Sequence, residues 1–249
     1  MDEAFQGLAM GYTFDAGPLV LGLSGHFFHT EFDAPGYDAE ATAVGATGSI
    51  GRRFAVSEGF NPWIEARAGF THFDFSRQHR TDYAGKRAAS SPNMTAYVAS
   101  LLADNDIPMG PVTLTPRLAL EYTFVDMNSY SESGSDYALR VSADDFTSLL
   151  GTAELALRYP ATERLSLEGR GAYHHEFADT YARMRSRAVD LRALTFNTRG
   201  DTLERSSGTF GAGIHFKASD TATFGLDYDF RLGDRYTGHL VSGAVKIAF

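Results

Sequence analysis

Histidine is the residue type in this chain best suited to moving a proton or holding a metal. It recurs in three short runs: His26-Phe27-Phe28-His29, His72-Phe73-Asp74 and His174-His175-Glu176-Phe177. A His with a carboxylate or Ser beside it is the apparatus of general-base and nucleophilic catalysis. The spacing argues against that use. Neighbouring residues of a strand point to opposite faces, so His174 and His175 cannot chelate one ion together. His175 also falls on the apolar phase near a strand end, where an interfacial residue belongs. There is no cysteine, which removes thiolate nucleophiles and thiolate metal sites and suits an oxidising compartment. No GxGxxG, Walker-type loop, HExxH or GxSxG occurs in a usable context. Gly151 and Gly169–Gly171 read as curvature or packing sites within strands. The sequence therefore assigns no catalytic residue, no metal site and no cofactor, and the chain reads as a non-enzyme.

A second set of chemically active residues is more orderly. Arg117, Glu121, Glu154, Arg158, Glu168, Arg170, Asp227 and Arg231 all fall on the polar phase of alternating segments, together with Glu65, Arg67 and Asp229. So many charges are too costly to bury unpaired in a dry core; a hydrated lumen accommodates them. Two readings stay open: a cross-strand ladder around a plug or a translocating chain, and simple solvation with mutual pairing. A third set is basic against an acidic whole: Arg183, Arg185, Arg187, Arg192, Arg199 and Arg205. Arginine suits the phosphates of lipopolysaccharide, and a solvated loop is the simpler reading.

The elements that carry these residues have a hydrophobic period of two. Val112 to Phe124 places Val112, Leu114, Pro116, Leu118, Leu120, Tyr122 and Phe124 against Thr113, Thr115, Arg117, Ala119, Glu121 and Thr123. The segments from Leu149, Arg164, Thr209, Thr221 and His239 repeat the pattern. Weaker alternation marks Gly7–Phe14, Leu19–His29, Ala41–Phe54, Trp63–Phe75 and Met94–Ala103, and the phase of Thr95–Ala103 is ambiguous. Short polar turns fall at 15–18, 59–62, 105–111, 160–163 and 219–220. Longer polar connections fall between them, at 31–40, 76–93, 126–146, 179–205 and 233–237. Short turns at one end and long loops at the other are the pattern of an outer-membrane barrel. The expected fold is thus all-β: a membrane-spanning antiparallel up-and-down barrel of about 12 strands, eleven of them read directly. Tyr122, Phe124, Tyr159, Tyr173, Phe177 and Tyr228 are candidates for its interfacial aromatic girdles.

Composition agrees. The 249 residues are 43% hydrophobic and carry 22 basic against 31 acidic groups, a formal charge of −9. That excludes a nucleic-acid surface, which needs excess Lys and Arg. Mean hydropathy is −0.21, and no window approaches the roughly 18 apolar residues of a membrane helix; alternating strands average to neutrality, so a barrel gives no such signal.

These residues resemble a known family. Leu114-Thr115-Pro116-Arg117-Leu118-Ala119-Leu120-Glu121-Tyr122, Ser148 to Leu155, Tyr173-His174-His175-Glu176-Phe177, and Tyr228 to His239 followed by a strand closing at Phe249 look like the autotransporter translocator domain, the C-terminal barrel of type V secretion proteins. Gly11-Tyr12-Thr13-Phe14 and Leu21-Gly22-Leu23-Ser24-Gly25 are compatible with it, so the resemblance covers nearly all of residues 1–249, taken as one barrel domain. It implies a twelve-stranded barrel plugged by an N-terminal helix, integral to the outer membrane of a Gram-negative cell. The implied partners are outer-membrane lipid and lipopolysaccharide, the barrel-assembly machinery and the chain's own passenger. It implies further that the final strand is read during assembly, with Val241, Val245, Ile247 and Phe249 on one face as the signal. The passenger and linker helix are not in this sequence, and neither is a secretory signal. The odd strand count leaves two expectations: the first strand is missing, or two strands are merged within 126–149. Self-cleaving members cut in the missing segment, so no cleavage residue is assigned. The alternatives to passenger export are a free-standing barrel acting as pore, adhesin or surface hydrolase, and a soluble β-sandwich.

Overall fold

The computed structural model describes residues 2–57, 59–81, 85–181, 183–189, 195–199, 204–234 and 236–248; Phe249 and Arg192 lie outside them. The described chain is built from strands. In chain order these are β1 (Asp2–Ala16), β2 (Leu19–Ala34), β3 (Tyr37–Arg53), β4 (Trp63–Thr81), β5 (Arg87–Ser90), β6 (Asn93–Asp104), β7 (Ile107–Met109), β8 (Val112–Met127) and β9 (Tyr130–Ser131). They continue with β10 (Leu139–Ala143), β11 (Phe146–Pro160), β12 (Leu165–Glu176), β13 (Arg183–Ala188), β14 (Thr195–Arg199), β15 (Ser206–Lys217), β16 (Ala222–Gly233) and β17 (Thr237–Ile247). Eleven of them pair antiparallel, in the order β1-β2-β3-β4-β6-β8-β11-β12-β15-β16-β17. They curl into an open half-barrel. No ladder joins β1 to β17 among the described residues, and the described side chains of both strands are exposed along most of their length.

Each of the eleven segments with alternating sequence is one of these strands. The alternation settles the faces. Leu23, Phe27, Val44, Leu118, Leu120, Leu155, Phe210 and Leu226 lie on one face, and Leu23, Leu118 and Leu226 are 65%, 66% and 55% exposed. The register lines up such residues from strand to strand, as in Leu101–Leu120 and Leu167–Ile214–Leu226. An apolar surface this extensive is unsuited to water; hydrocarbon is the medium that fits it. On β11 the apolar phase runs from Leu149 to Tyr159, about the 9–11 residues that a tilted strand needs to cross a bilayer. No helix of the described residues is long and apolar enough to cross; strands do it. The phase of β6 is resolved as well. Tyr97 and Leu101, 50% and 54% exposed, face outward, and Val98, Ser100 and Leu102 face inward.

Proline in a strand interior needs an explanation, because it cannot donate to a ladder. Pro116 sits in β8 where β6 has just ended: its carbonyl accepts from Asn105 N at 3.3 Å. The nitrogen faces the same side, at a turn rather than a strand.

Expectations about four connections need correction, and 76–93 is the first: β4 continues to Thr81 and pairs there with β5, so this stretch is a hairpin extension and not a plain loop. Residues 31–40 are not a long loop. β2 continues to Ala34 and β3 starts at Tyr37, joined by Pro35-Gly36 with Gly36 at φ 78°. Proline fixes the first turn residue, and glycine takes the positive φ of the second. These strand ends project beyond the apolar belt, where both faces meet water and alternation disappears. The connections 126–146 and 179–205 are likewise not plain loops. They contribute a four-stranded sheet, β14-β13-β10-β9.

That sheet folds over the inner side at the long-connection end. Arg80 on β4 donates to Glu132 through Nε and Nη2, at 3.0 and 2.7 Å, and the Glu132 carboxylate also accepts from Leu139 N at 2.9 Å. Glu132 is only 9% exposed. The inward residues of β3 at this end are small and buried: Ala39, Ala41 and Ala43, at 4%, 0% and 1%. Burial and the nearby Glu132 carboxylate raise the pKa of the Tyr130 hydroxyl above the usual phenol range.

The two faces predict opposite responses to charge. Leu120→Arg, at mid-belt on the outer face, should lower stability by about 2–4 kcal/mol, whereas Ala119→Arg, its inward neighbour, should cost much less. Urea unfolding in liposomes measures both, and equal losses would contradict the assignment of faces.

Candidate functional site

The inner face is where the charged residues meet. In an antiparallel register, residues directly opposite stand about 4.5–5.5 Å apart at Cβ, so a row across the strands reads as a row of neighbours. Asp104, Arg117 and Glu154 form one such row on β6, β8 and β11. Arg117 reaches Glu154 at 3.0 Å and Asp104 at 3.6 Å. Arg158 stands opposite Glu168 and meets it at 3.0 Å.

Arg170 is the centre of the set. Its row is Arg170, Gly211 and Asp229 on β12, β15 and β16; the adjacent row is Glu168, Gly213 and Asp227. The guanidinium spans β15 to hold Asp229 in a two-point contact, with Nη2–Oδ2 at 2.7 Å and Nε–Oδ1 at 2.9 Å. Its Nη1 also lies 3.2 Å from Asp227 and 3.5 Å from Glu168. Glycine makes this reach possible. A Cβ on Gly211 would collide with both Asp229 Oδ1 and Arg170 Nε, and one on Gly213 with Asp227 Oδ1. The planar, permanently charged fork of arginine suits three carboxylates at once.

The remaining charges on this face are less tightly held. Glu65 accepts from Arg67 Nε at 2.8 Å and from Trp63 Nε1 at 3.2 Å. Arg67, Ser100 and Glu121 share a row, and Glu121 sits in the field of Arg67 without an ion pair among the described residues. Arg231 donates to Ser207 Oγ at 3.2 Å and lies 5.6 Å from the centre of the Tyr236 ring. Asp104 and the glycines of β15 are the members that charge patterning alone did not single out. The available signal was Gly211-Ala212-Gly213, two glycines on the polar phase of one strand.

Four of the candidate histidines meet hydroxyls rather than one another, whereas His29 lies 3.4 Å from Glu31 and 3.9 Å from Glu40. His174 faces inward between Thr152 and Thr209, at 3.0 and 2.9 Å. His175 faces outward, 3.0 Å from Ser206 Oγ, its ring edge-on to Phe177. His26 meets Thr71 at 2.8 Å and His72 meets Thr95 at 2.9 Å. Among the described residues, no three His, Cys, Asp or Glu are grouped to hold a metal ion.

The last strand, β17, pairs with β16 throughout. Val241, Val245 and Ile247 lie on its outer face, 68%, 60% and 61% exposed, in line with Tyr228, Phe224 and Ala222. Of the basic residues in the 179–205 region, Arg183, Arg185 and Arg187 lie on β13 and Arg199 on β14. Arg205 is engaged elsewhere, donating to the carbonyls of Glu176 and Ala178 at 3.1 and 3.5 Å.

The Arg170 cradle gives a sharp expectation. Gly211→Ala should push Arg170 off Asp229 and cost about 1–3 kcal/mol, as overpacking does. Gly169→Ala, on the outer face with nothing within 4 Å of a new Cβ, should stay within about 0.5 kcal/mol of the parent. Urea midpoints of the two variants in micelles compare them directly.

Residues 1–229 match the family model of the autotransporter β-domain. No curated protein sequence matches the chain. Among solved structures, the chain is similar to the translocator domain of the autotransporter NalP from Neisseria meningitidis, with a TM-score of 0.84 at 14% identity over 99% of this chain and 82% of that one. It is also similar to the β domain of the Bordetella autotransporter BrkA, with a TM-score of 0.67 at 14% identity over 99% and 91%. The transport unit of the autotransporter AIDA-I from Escherichia coli gives a TM-score of 0.61 at 12% identity over 99% and 81%. An outward apolar belt, a charged inner face and a family match over most of its length together establish that this chain belongs to the autotransporter β-domain family, as an outer-membrane translocator domain of type V secretion.

Proposed function

We infer that the chain anchors a passenger polypeptide in the outer membrane and exports it to the cell surface. The observation that carries this reading is the inner face. It is lined by paired, partly hydrated charges, and its outer counterpart is apolar, as a wall between lipid and a polar polypeptide requires. Residues 1–249 act as one barrel domain. The closed barrel has about twelve strands, because the open edges of β1 and β17 would leave backbone N–H and C=O groups unpaired in hydrocarbon, and bacterial barrels close on an even number. Arg117, Glu121, Glu154, Arg158, Glu168, Arg170, Asp227 and Arg231 line the lumen. There all but Glu121 and Arg231 are ion-paired within the wall, around whatever occupies the lumen, a plug helix or the chain in transit. The work is mechanical, with no bond made or broken by the barrel.

Val241, Val245 and Ile247, with the terminal Phe249, are the face presented to the barrel-assembly machinery. Two features support this: the exposure of β17 and the unbroken apolar phase along it. Outer-membrane lipid and lipopolysaccharide surround the belt.

Export is tested by joining a signal peptide and an epitope-tagged reporter through a helical linker to Asp2, in Gram-negative cells. The expected result is a reporter cut by protease on intact cells. A barrel that inserts normally while the reporter stays periplasmic would favour the free-standing barrel instead. For the last strand, Val245→Asp with Phe249→Ser should remove most of the heat-modifiable species on detergent gels and leave unfolded protein in the periplasm; undiminished assembly would remove the signal from this strand.

A further inference from the structure

The register of the small sheet sets Arg140 of β10 directly opposite Arg187 of β13, and Ser142 opposite Arg185. Strand alternation puts Arg140, Arg185 and Arg187 on one face. The other face carries Val141 and Ser186, buried at 4% and 3% exposure, and Tyr130, which stands opposite Val141. Tyr130 lies close to Gln78 and Arg80 of β4 and to Tyr37 of β3, so this is the face turned to the wall. The arginine face is turned away from the wall, into the space that the barrel encloses, and Arg140 and Arg185 are exposed on it. On the inner wall Arg67, Arg117, Arg158 and Arg170 each reach a carboxylate. Here none does. Among the described residues Arg140 donates to Ser131 Oγ at 3.2 Å, and Arg185 and Arg187 make no ion pair. Arg183, next along β13, differs: its guanidinium lies 5.6 Å from the centre of the Tyr181 ring, with Asp144 and Asp179 close by.

The bore of a barrel grows roughly linearly with strand number: about 8 strands are filled by their own side chains, and about 16 leave an aqueous channel. A barrel of about twelve strands falls between these limits. A sheet stacked on one wall stands about 10 Å inside it, so the small sheet takes up much of the mouth and makes it the constriction. A passage lined by one sign of charge concentrates counter-ions, and Arg or Lys at a constriction favours anions. We propose that Arg140, Arg185 and Arg187 form an anion filter at the long-connection mouth, through which the barrel conducts small anions such as chloride in preference to cations. The wall beneath, with carboxylates in slight excess, favours the opposite sign by itself. The filter prevails because its three charges are not neutralised by the chain and stand at the narrower point. The proposal rests on the reading of this chain as a closed outer-membrane barrel.

The test uses the whole chain, refolded and inserted into planar bilayers of zwitterionic lipid, with the reversal potential read in a potassium chloride gradient. The parent should favour chloride over potassium by at least about threefold near about 0.1 M salt, where the Debye length is about 10 Å, and by less near about 1 M, where it is about 3 Å. The triple variant Arg140→Gln, Arg185→Gln, Arg187→Gln should lose that preference or reverse it, since only the wall carboxylates remain. The triple variant Arg140→Lys, Arg185→Lys, Arg187→Lys keeps the charge and should keep the preference, which a merely structural role of the arginines would not require. Should the glutamine triple variant not fold, Arg185→Gln alone, whose partner across the strand is Ser142, should still shift the ratio toward potassium. A potassium preference in the parent, or one ratio shared by parent and glutamine variant, would overturn the proposal. So would a parent that migrates as a folded, heat-modifiable species and conducts nothing, because the sheet would then close the mouth. A parent chain that showed no heat-modifiable migration would instead strike at the barrel reading itself.

Discussion

Everything in this molecule follows from one rule: in hydrocarbon, a backbone N–H or C=O has no partner but another strand. That rule makes the sheet continuous from β1 to β17 and allows no helix or loop to interrupt the belt. It explains why Pro116 is tolerated only where its nitrogen faces a turn. It also means that side chains are free of the task of holding the fold together in the usual way. Fully buried large apolar side chains are absent among the described residues, and the hydrophobic residues are spent on the outside.

The consequence is an inner surface that must be polar without being unstable. Charges left in isolation there would repel along each strand, and paired charges need room to reach one another. Arg170 shows how both demands are met. Besides Glu168 on its own strand, its partners Asp227 and Asp229 are not on the neighbouring strand but one strand further, across Gly211 and Gly213. The glycines are cleared space: side chains there would separate the arginine from its carboxylates. With Arg170 at 18% side-chain exposure and its carboxylates between 14% and 22%, the cluster is hydrated enough to avoid the full cost of a buried ion pair and sheltered enough for geometry to matter.

The period of two made the eleven long strands legible, because each has one face in lipid and one in a polar interior. It failed where that asymmetry stops. Ala34 to Tyr37, Ser76 to Thr81 and the strands β9, β10, β13 and β14 lie beyond the belt, where both faces are polar or where one, as at Val141 and Ser186, is buried, and their sequence reads as loop. The phase of the inner charges was legible too; their partnerships were not. Whether Arg170 meets Asp229 depends on the register of three strands, which separate segments of sequence do not encode individually. Asp104 is illegible for the same reason, as it lies at a strand end and becomes a partner only when β6 is laid against β8.

The two charged surfaces are then complementary in design and opposite in sign. The inner belt is built from pairs, with carboxylates in slight excess, and its arginines are mostly neutralised within the wall. The small sheet sets Arg140 directly opposite Arg187, and among the described residues neither reaches a carboxylate, whereas Arg183 has Asp144 and Asp179 close by. The same chain supplies both, so the difference is not one of composition. A protein able to place Asp227 and Asp229 around Arg170 had the means to place an acid beside Arg187. The anchoring contact of the sheet, Arg80 with Glu132, is by contrast complete: a two-point ion pair closed further by the Leu139 amide. The sheet is thus fixed at the edge that meets the wall and electrostatically unfinished on the face that does not.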